Sequence, residues 1–323
     1  MKQTEIVSDG LKKTEISLNG QDLKHLPRPE EPSLTSQDGN EMILTPIDEI
    51  YEDLLTDLGE RTAIPKYPTG LKDLDEIIWG LHKRELMVIG GRTSMGKSMM
   101  AIHLARELIE QQQRVIYFSL EMNKRQLLER FLSNVCEINS DHLRKGLAND
   151  KIKERSSLFQ DWMMDAKLLI DDMYGYKFDN ILKICNYIKP DFIIVDYVQL
   201  VSTRGYKDKL SALEDFVKSL HNLCIKDNFG AILISQINRS GADSLTMDKL
   251  KGAGVLEEVP DSVMLLKWDW DTGKYTIKVD KQRHGECGSV DVDFEPEYAR
   301  FANASITLGI PSGQANTRLR KDH

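Results

Sequence analysis

The chain has 323 residues, 41% hydrophobic and 29% charged, with a formal net charge of −8 at pH 7. A sequence of that size and balance buries a sizeable core, which excludes wholesale disorder and collagen-like structure. The acidic charge excludes a surface that is basic everywhere, yet a local ring or loop of Lys and Arg can still grip nucleic acid.

Residues 1–43 mix Asn, Asp, Ser, Gln, Lys and Glu around "LPRPEEPS". With so few large apolar side chains, burial cannot offset the entropy of ordering them, and a flexible N-terminal arm is expected. Residues 44–63 read as a linker helix and linker: Thr45 as cap, Pro46 at the first helical position, and Ile47, Ile50, Leu54, Leu55 and Leu58 along one stripe ending near Gly59. The stripe must dock on something, either the same chain or a neighbour, and the two prolines of "RTAIPKYPTG" mark the linker that follows.

From residue 64 to 302 apolar strands alternate with amphipathic helices: "ELMVIG", the helix after Ser98, "RVIYFSL", "NKRQLLERFLSNVCE", "KLLID", "DNILKICNYI", "DFIIVDY", "LSALEDFVKSLHNLCI" and "AILISQ". Such alternation predicts parallel strands joined by crossover helices, a doubly wound α/β sheet with helices on both faces. "SVMLLKW", "KYTIKVDKQ" and "GSVDVDF" then run on without helices and predict antiparallel hairpins at the sheet edge. Residues 303–323 are polar, a flexible C-terminal tail. No stretch approaches the roughly 18 apolar residues of a membrane span, so no membrane partner is expected. Cys136, Cys185, Cys224 and Cys287 form no C-x-x-C pair and have no His at ligand spacing. Neither a zinc site nor a disulfide framework is expected, and a reduced, cytoplasmic setting fits best.

"GRTSMGKS", Gly91 to Ser98, matches G-x-x-x-x-G-K-[ST] between a predicted strand and a predicted helix. Glycines let backbone N–H groups of the run Gly91, Ser94, Met95 and Gly96 converge on phosphate oxygens, while Lys97 supplies charge and Ser98 a Mg²⁺-ligating hydroxyl. The helix that begins there adds its positive dipole end. The alternative is a glycine-punctuated turn between two buried elements. "DFIIVDYVQL" ends an apolar strand at Asp196, at the carboxyl edge where ligands bind in such sheets, which suits a second Mg²⁺ residue; a buried strand that merely stops at an Asp is the other reading. Glu121, just past "RVIYFSL", stands at the same edge as a candidate to orient and polarise water, or else as a charge favourable to the next helix dipole.

The set "TGLKDLDEIIWGL", "GGRTSMGKS", "YFSLEM", "IIVDYVQL", "SQINRS" and "KQRHG", in this order, resembles the ATPase domain of DnaB-type replicative helicases over residues 64–302. The resemblance implies a RecA-like fold, a hexameric homo-oligomeric ring, ATP and Mg²⁺ as cofactors, and 5′-to-3′ movement on single-stranded DNA. It assigns Lys97 and Ser98 to phosphate and Mg²⁺, Glu121 as the catalytic carboxylate and Asp196 as the strand-end metal residue. It adds Arg130, positioning Glu121 and the γ-phosphate, and Gln236, a γ-phosphate sensor. Lys281 and Arg283 sit beside a predicted hairpin turn from which their side chains could project beyond their own subunit, and the resemblance makes Arg283 an arginine finger acting on a neighbour's ATP.

Two departures bear on DNA. The family's pore loop reads Arg-Glu-Ser-Gly, whereas Lys251, Gly252, Ala253 and Gly254 stand here. Lys251 with the backbone around Gly252 and Gly254 can still grip a single strand's phosphates, or the segment is a plain surface loop. The resemblance implies a folded N-terminal collar that meets primase, where only the arm and one linker helix are expected here, and a primase and a helicase loader are possible partners. Two other functions share the phosphate loop: an ATP-dependent DNA clamp or modulator of a full-length helicase, and a recombinase-type RecA-like ATPase, which would lack "SLEM" together with "DYVQL".

Overall fold

A computed structural model describes residues 67–304, apart from 147–149, 174–176, 202–207, 238–245 and 251, together with residues 34–35, 41–42, 47, 51 and 55. Most of the expected arm and linker helix, the tail beyond 304 and the DNA-loop candidate Lys251 therefore lie outside the described residues. The chain divides into two units, Met1–Thr62 and Ala63–His323. In the first, β1 (Leu34–Thr35) pairs antiparallel with β2 (Glu41–Met42), a pairing that the polar composition of that stretch does not signal. Ile47, Tyr51 and Leu55 are helical and exposed, four residues apart as one face of a helix requires.

The second unit is built on nine strands: β3 (Leu86–Gly91), β4 (Val115–Ser119), β5 (Leu168–Asp171), β6 (Phe192–Asp196), β7 (Gly230–Gln236), β8 (Ser262–Trp268), β9 (Tyr275–Gln282), β10 (Gly288–Glu295) and β11 (Arg300–Asn303), in the order β11-β10-β9-β8-β3-β7-β6-β4-β5. The run from β8 to β5 is parallel throughout, and β9, β10 and β11 add an antiparallel meander. "SVMLLKW" is thus not an edge hairpin: β8 lies inside the sheet, parallel to β3 on one side and antiparallel to β9 on the other. Burial on both faces explains why β3 and β6 read as unbroken apolar runs.

Alternate side chains feed two cores. Met87, Ile89, Tyr117 and Ile194 meet α1 (Lys72–Ile78), α2 (Lys97–Glu110) and α3 (Lys124–Cys136) on one face. Val88, Phe118, Val195 and Leu233 meet α6 (Phe178–Ile188), α7 (Lys209–Asp227) and α8 (Ala253–Glu258) on the other. The short α4 (Ser140–Arg144) and α5 (Asp150–Asp165) are hidden in the sequence by their polar composition; α5 is held by Phe159 and Trp162, stacked on each other and, through Trp162, on Phe131 of α3. α3 begins at a capping box in which Asn123 Oδ1 accepts from Gln126 N at 3.0 Å and Gln126 Oε1 accepts from Asn123 N at 3.2 Å. That cap turns the chain sharply after β4 and leaves Glu121 at the carboxyl edge of the sheet.

Candidate functional site

The phosphate loop closes between Gly91 and Lys97. Ser94 and Gly96 both take the left-handed conformation, with φ of 65° and 74°. A Cβ at Gly96 would meet the Phe294 ring at 3.2 Å and the Tyr275 hydroxyl at 3.3 Å, so only glycine passes the chain through here without strain. Lys97 Nζ donates to the Arg92 carbonyl at 2.8 Å, which folds the cation over the loop. Burial lowers its pKa while the Asp196 and Glu121 carboxylates raise it, an arrangement that favours an anion arriving to complete its neutralisation.

Asp196 is buried, with one oxygen accepting from the Tyr117 hydroxyl at 2.8 Å. Its other oxygen, Oδ1, is equally buried and has no hydrogen-bond partner among the described residues. Burial pushes the carboxyl pKa up, against the pull of the neighbouring Ser98 and Tyr117 hydroxyls. An orphaned carboxylate oxygen beside a hydroxyl at the mouth of a phosphate loop fits a Mg²⁺ ion that takes its remaining ligands from phosphate and water. Among the described residues no group of three His, Cys, Asp or Glu side chains forms a cage of its own.

A cavity of about 690 Å³ opens over the loop, lined at one end by Lys97, Ser98, Glu121, Arg130 and Gln236. With Asp196 beneath them, the structure thus brings together sequence candidates from β3–α2, the turn after β4, α3, β6 and β7. Gln236 is the most tightly placed: its Nε2 donates to Thr93 Oγ1 at 2.7 Å, and Gln199, whose Nε2 donates to Ser235 Oγ at 2.8 Å, sits against its backbone. The cavity's other end is aromatic. Trp268, Trp270 and Phe294 line it, with the two tryptophan ring centroids 3.7 Å apart. Tyr275 Oη donates to the Met95 carbonyl at 2.6 Å and Trp268 N to Met95 Sδ at 3.3 Å, so this block props the phosphate loop from behind. Sequence reading missed these aromatics as well as Tyr117 and Gln199; the doubled "WDW" after an apolar run was the one available signal.

Lys281 and Arg283 are elsewhere, and they do not project freely as expected. Lys281 Nζ donates to the carbonyls of Glu257 at 2.6 Å and Glu258 at 2.8 Å. Arg283 donates to Asp261 Oδ1 at 3.0 Å and to the carbonyls of Glu258 and Val259 at 3.3 and 3.1 Å. Free carbonyls at the end of α8 draw both cations inward, as helix C-termini do. Asp261 N in turn donates to the Leu86 carbonyl at the start of β3. The cations therefore stand at the amino end of a strand whose carboxyl end carries the phosphate loop, about 17 Å of β-structure away. Of the DNA-loop candidates, Gly252 caps α8 with φ 102°, and a Cβ there would meet Leu213 Cδ2 at 2.5 Å; Gly254 is exposed.

The profile of the family described as DnaB-like helicase C terminal domain matches residues 67–303. The replicative DNA helicase DnaB of Leifsonia xyli subsp. xyli is 30% identical over 280 residues, covering 81% of this chain and 60% of the relative. That of Treponema pallidum is 30% identical over 240 residues, covering 72% and 55%. The chain thus spans between half and two thirds of the length of these relatives. Among solved structures, an isolated ATPase domain matches with a TM-score of 0.75 at 22% identity, covering 80% of this chain and 99% of that one. A structure of a DnaB-like replicative helicase and its interactions with primase gives 0.72 at 21% identity, covering 83% and 69%. These likenesses show the RecA-like fold.

Proposed function

The chain belongs to the DnaB-like helicase C-terminal domain family, and from that premise we propose that it is the motor of a ring-shaped replicative DNA helicase. In this reading it is a Mg²⁺-dependent ATPase that moves 5′-to-3′ along single-stranded DNA as a hexamer, in the cytoplasm, alongside a primase and a loader. The observation that carries the reading is the separation of two charged groups to opposite ends of one sheet. Lys97, Ser98, Glu121 and Asp196 gather at the carboxyl end, while Lys281 and Arg283 stand at the amino end. One copy cannot join them, but adjacent copies in a ring can.

Lys97 and the loop N–H groups cradle the β- and γ-phosphates, and Ser98 and Asp196 would hold Mg²⁺ or its water, which would spread the charge of the transferring phosphate. Glu121 orients and polarises the attacking water, Arg130 steadies Glu121, and a neighbour's Arg283 adds a cation to the transition state. Gln236 links that chemistry to DNA. It contacts Thr93 of the phosphate loop, and the next residue, Ile237, bridges to Leu250, directly before the DNA loop Lys251–Gly254.

A forked substrate with a 5′ tail tests the whole reading, with strand separation and DNA-stimulated hydrolysis followed together. Both are expected. Stimulated hydrolysis without separation would make the chain a DNA clamp or modulator, and hydrolysis indifferent to DNA would overturn the assignment. Lys251→Ala should reduce the salt dependence of DNA binding by a log–log slope of about 1 while DNA-free hydrolysis is kept.

A further inference from the structure

Outside the nucleotide cavity, the most connected group of charged side chains centres on Asp261. The carboxylate is 5% exposed, between the end of α8 and the start of β8. Its Oδ2 accepts from Leu86 N, the first residue of the central strand, at 2.8 Å, and His221 Nε2 of α7 lies 3.0 Å from the same oxygen. The remaining oxygen, Oδ1, is spent on Arg283 Nη1, and the Asp261 carbonyl accepts from Arg283 N at 2.9 Å. Arg283 is therefore gripped by one buried residue through both its backbone and its side chain, yet the side chain stays 42% exposed. A surface arginine ordinarily has many rotamers, and ordering one on contact loses free energy that a pre-aimed one retains. A carboxylate pinned to the sheet's central strand supplies that aim.

Building on the reading above, in which Arg283 serves a neighbour's ATP, we propose that Asp261 is the positioning residue of that arginine, fixing the guanidinium to the rigid sheet so that it meets the adjacent subunit in a single pose. Asp261 touches neither nucleotide nor DNA. It acts on the neighbour's site while leaving its own untouched, and that asymmetry separates positioning from a general structural role.

The test is subunit mixing with the full chain. Asp261→Asn keeps the shape and the bond from Leu86 N but loses the charge that holds Arg283. Alone, it should bind fluorescent ATP as the wild type does and hydrolyse at least about tenfold more slowly, part of the roughly 10³-fold or more that such a finger contributes. Mixed with Lys97→Ala, which has no working phosphate loop but an intact Asp261–Arg283 pair, it should recover hydrolysis well above the sum of the two alone, because sound fingers now face sound ATP sites. Arg283→Ala mixed with Lys97→Ala is the reference. Recovery there without recovery for Asp261→Asn overturns the present inference and leaves the finger reading standing; recovery in neither removes the finger reading and this inference with it. Asp261→Glu, which keeps the charge but displaces it by one methylene, is run in parallel and carries the same expectation should the Asn variant fold poorly.

Discussion

At the scale of the residue, the cavity assigns different losses to different side chains. Lys97→Ala removes the only lysine among the described residues that line the cavity and should abolish ATP binding. Glu121→Gln should instead bind ATP normally and lose on the order of 10² or more in hydrolysis, since a positioned base contributes that much; equilibrium binding and single-turnover hydrolysis distinguish the two. Glu107 offers a readout unrelated to chemistry. Packed against Gly70 and half-buried, which disfavours the charged form, and with Glu110 adding to the effect, its pKa is raised to about 7. A carboxyl whose folded pKa exceeds its unfolded one stabilises the fold at acid pH and loses that contribution as pH climbs through the folded value. The Tm of the wild type should therefore fall relative to Glu107→Gln between about pH 5 and 8. Buried His103, lowered to about 4, acts in the opposite direction as pH falls, but it is common to both proteins and cancels in the difference. Parallel Tm curves would rule Glu107 out.

At the scale of the element, legibility followed periodicity. The phosphate loop, Asp196 and Glu121 were readable because each ends or closely follows an apolar strand, and strand ends of a parallel sheet gather on one edge, whereas Gln236 came only from the family resemblance. Pairing partners are not written in such runs: nothing local to "SVMLLKW" says that it lies beside β3 rather than at the edge, and nothing in Tyr275 or Phe294 says that they back the loop. Nor did a predicted turn at "KQRHG" reveal that the α8 carbonyls hold its cations. α8 itself is short, six residues or about 9 Å, and runs from its cap at Gly252 to the carbonyls that hold those cations. Gly252→Ala should strain its first residue, where φ is positive and Leu213 crowds, for a loss of about 1–3 kcal/mol. Chemical denaturation measures that loss, and an unchanged midpoint would mean that Leu213 yields.

At the scale of the whole molecule, the unit from Ala63 onward carries every described candidate, with the cavity residues and the Lys281–Arg283 pair at opposite ends of β3. Hydrolysis per subunit should therefore fall steeply on dilution below the assembly concentration while ATP binding persists, a contrast that sedimentation and nucleotide titration at matched concentrations will reveal. Constant specific activity across that range would mean that each copy works alone. Ile47, Tyr51 and Leu55 are exposed, and the ring proposed above would cover them with another copy.

β9 begins at Tyr275, whose hydroxyl holds the backbone of the phosphate loop, and ends beside Lys281 and Arg283. It is one stiff crossbar between the phosphate loop and the two cations, and in the ring proposed above it would join a subunit's own ATP to its contact with the next. In a closed ring such crossbars lie in series, so slackening at one nucleotide shifts the hand that the same subunit lends onward, and firing order becomes a property of the circle rather than of any member.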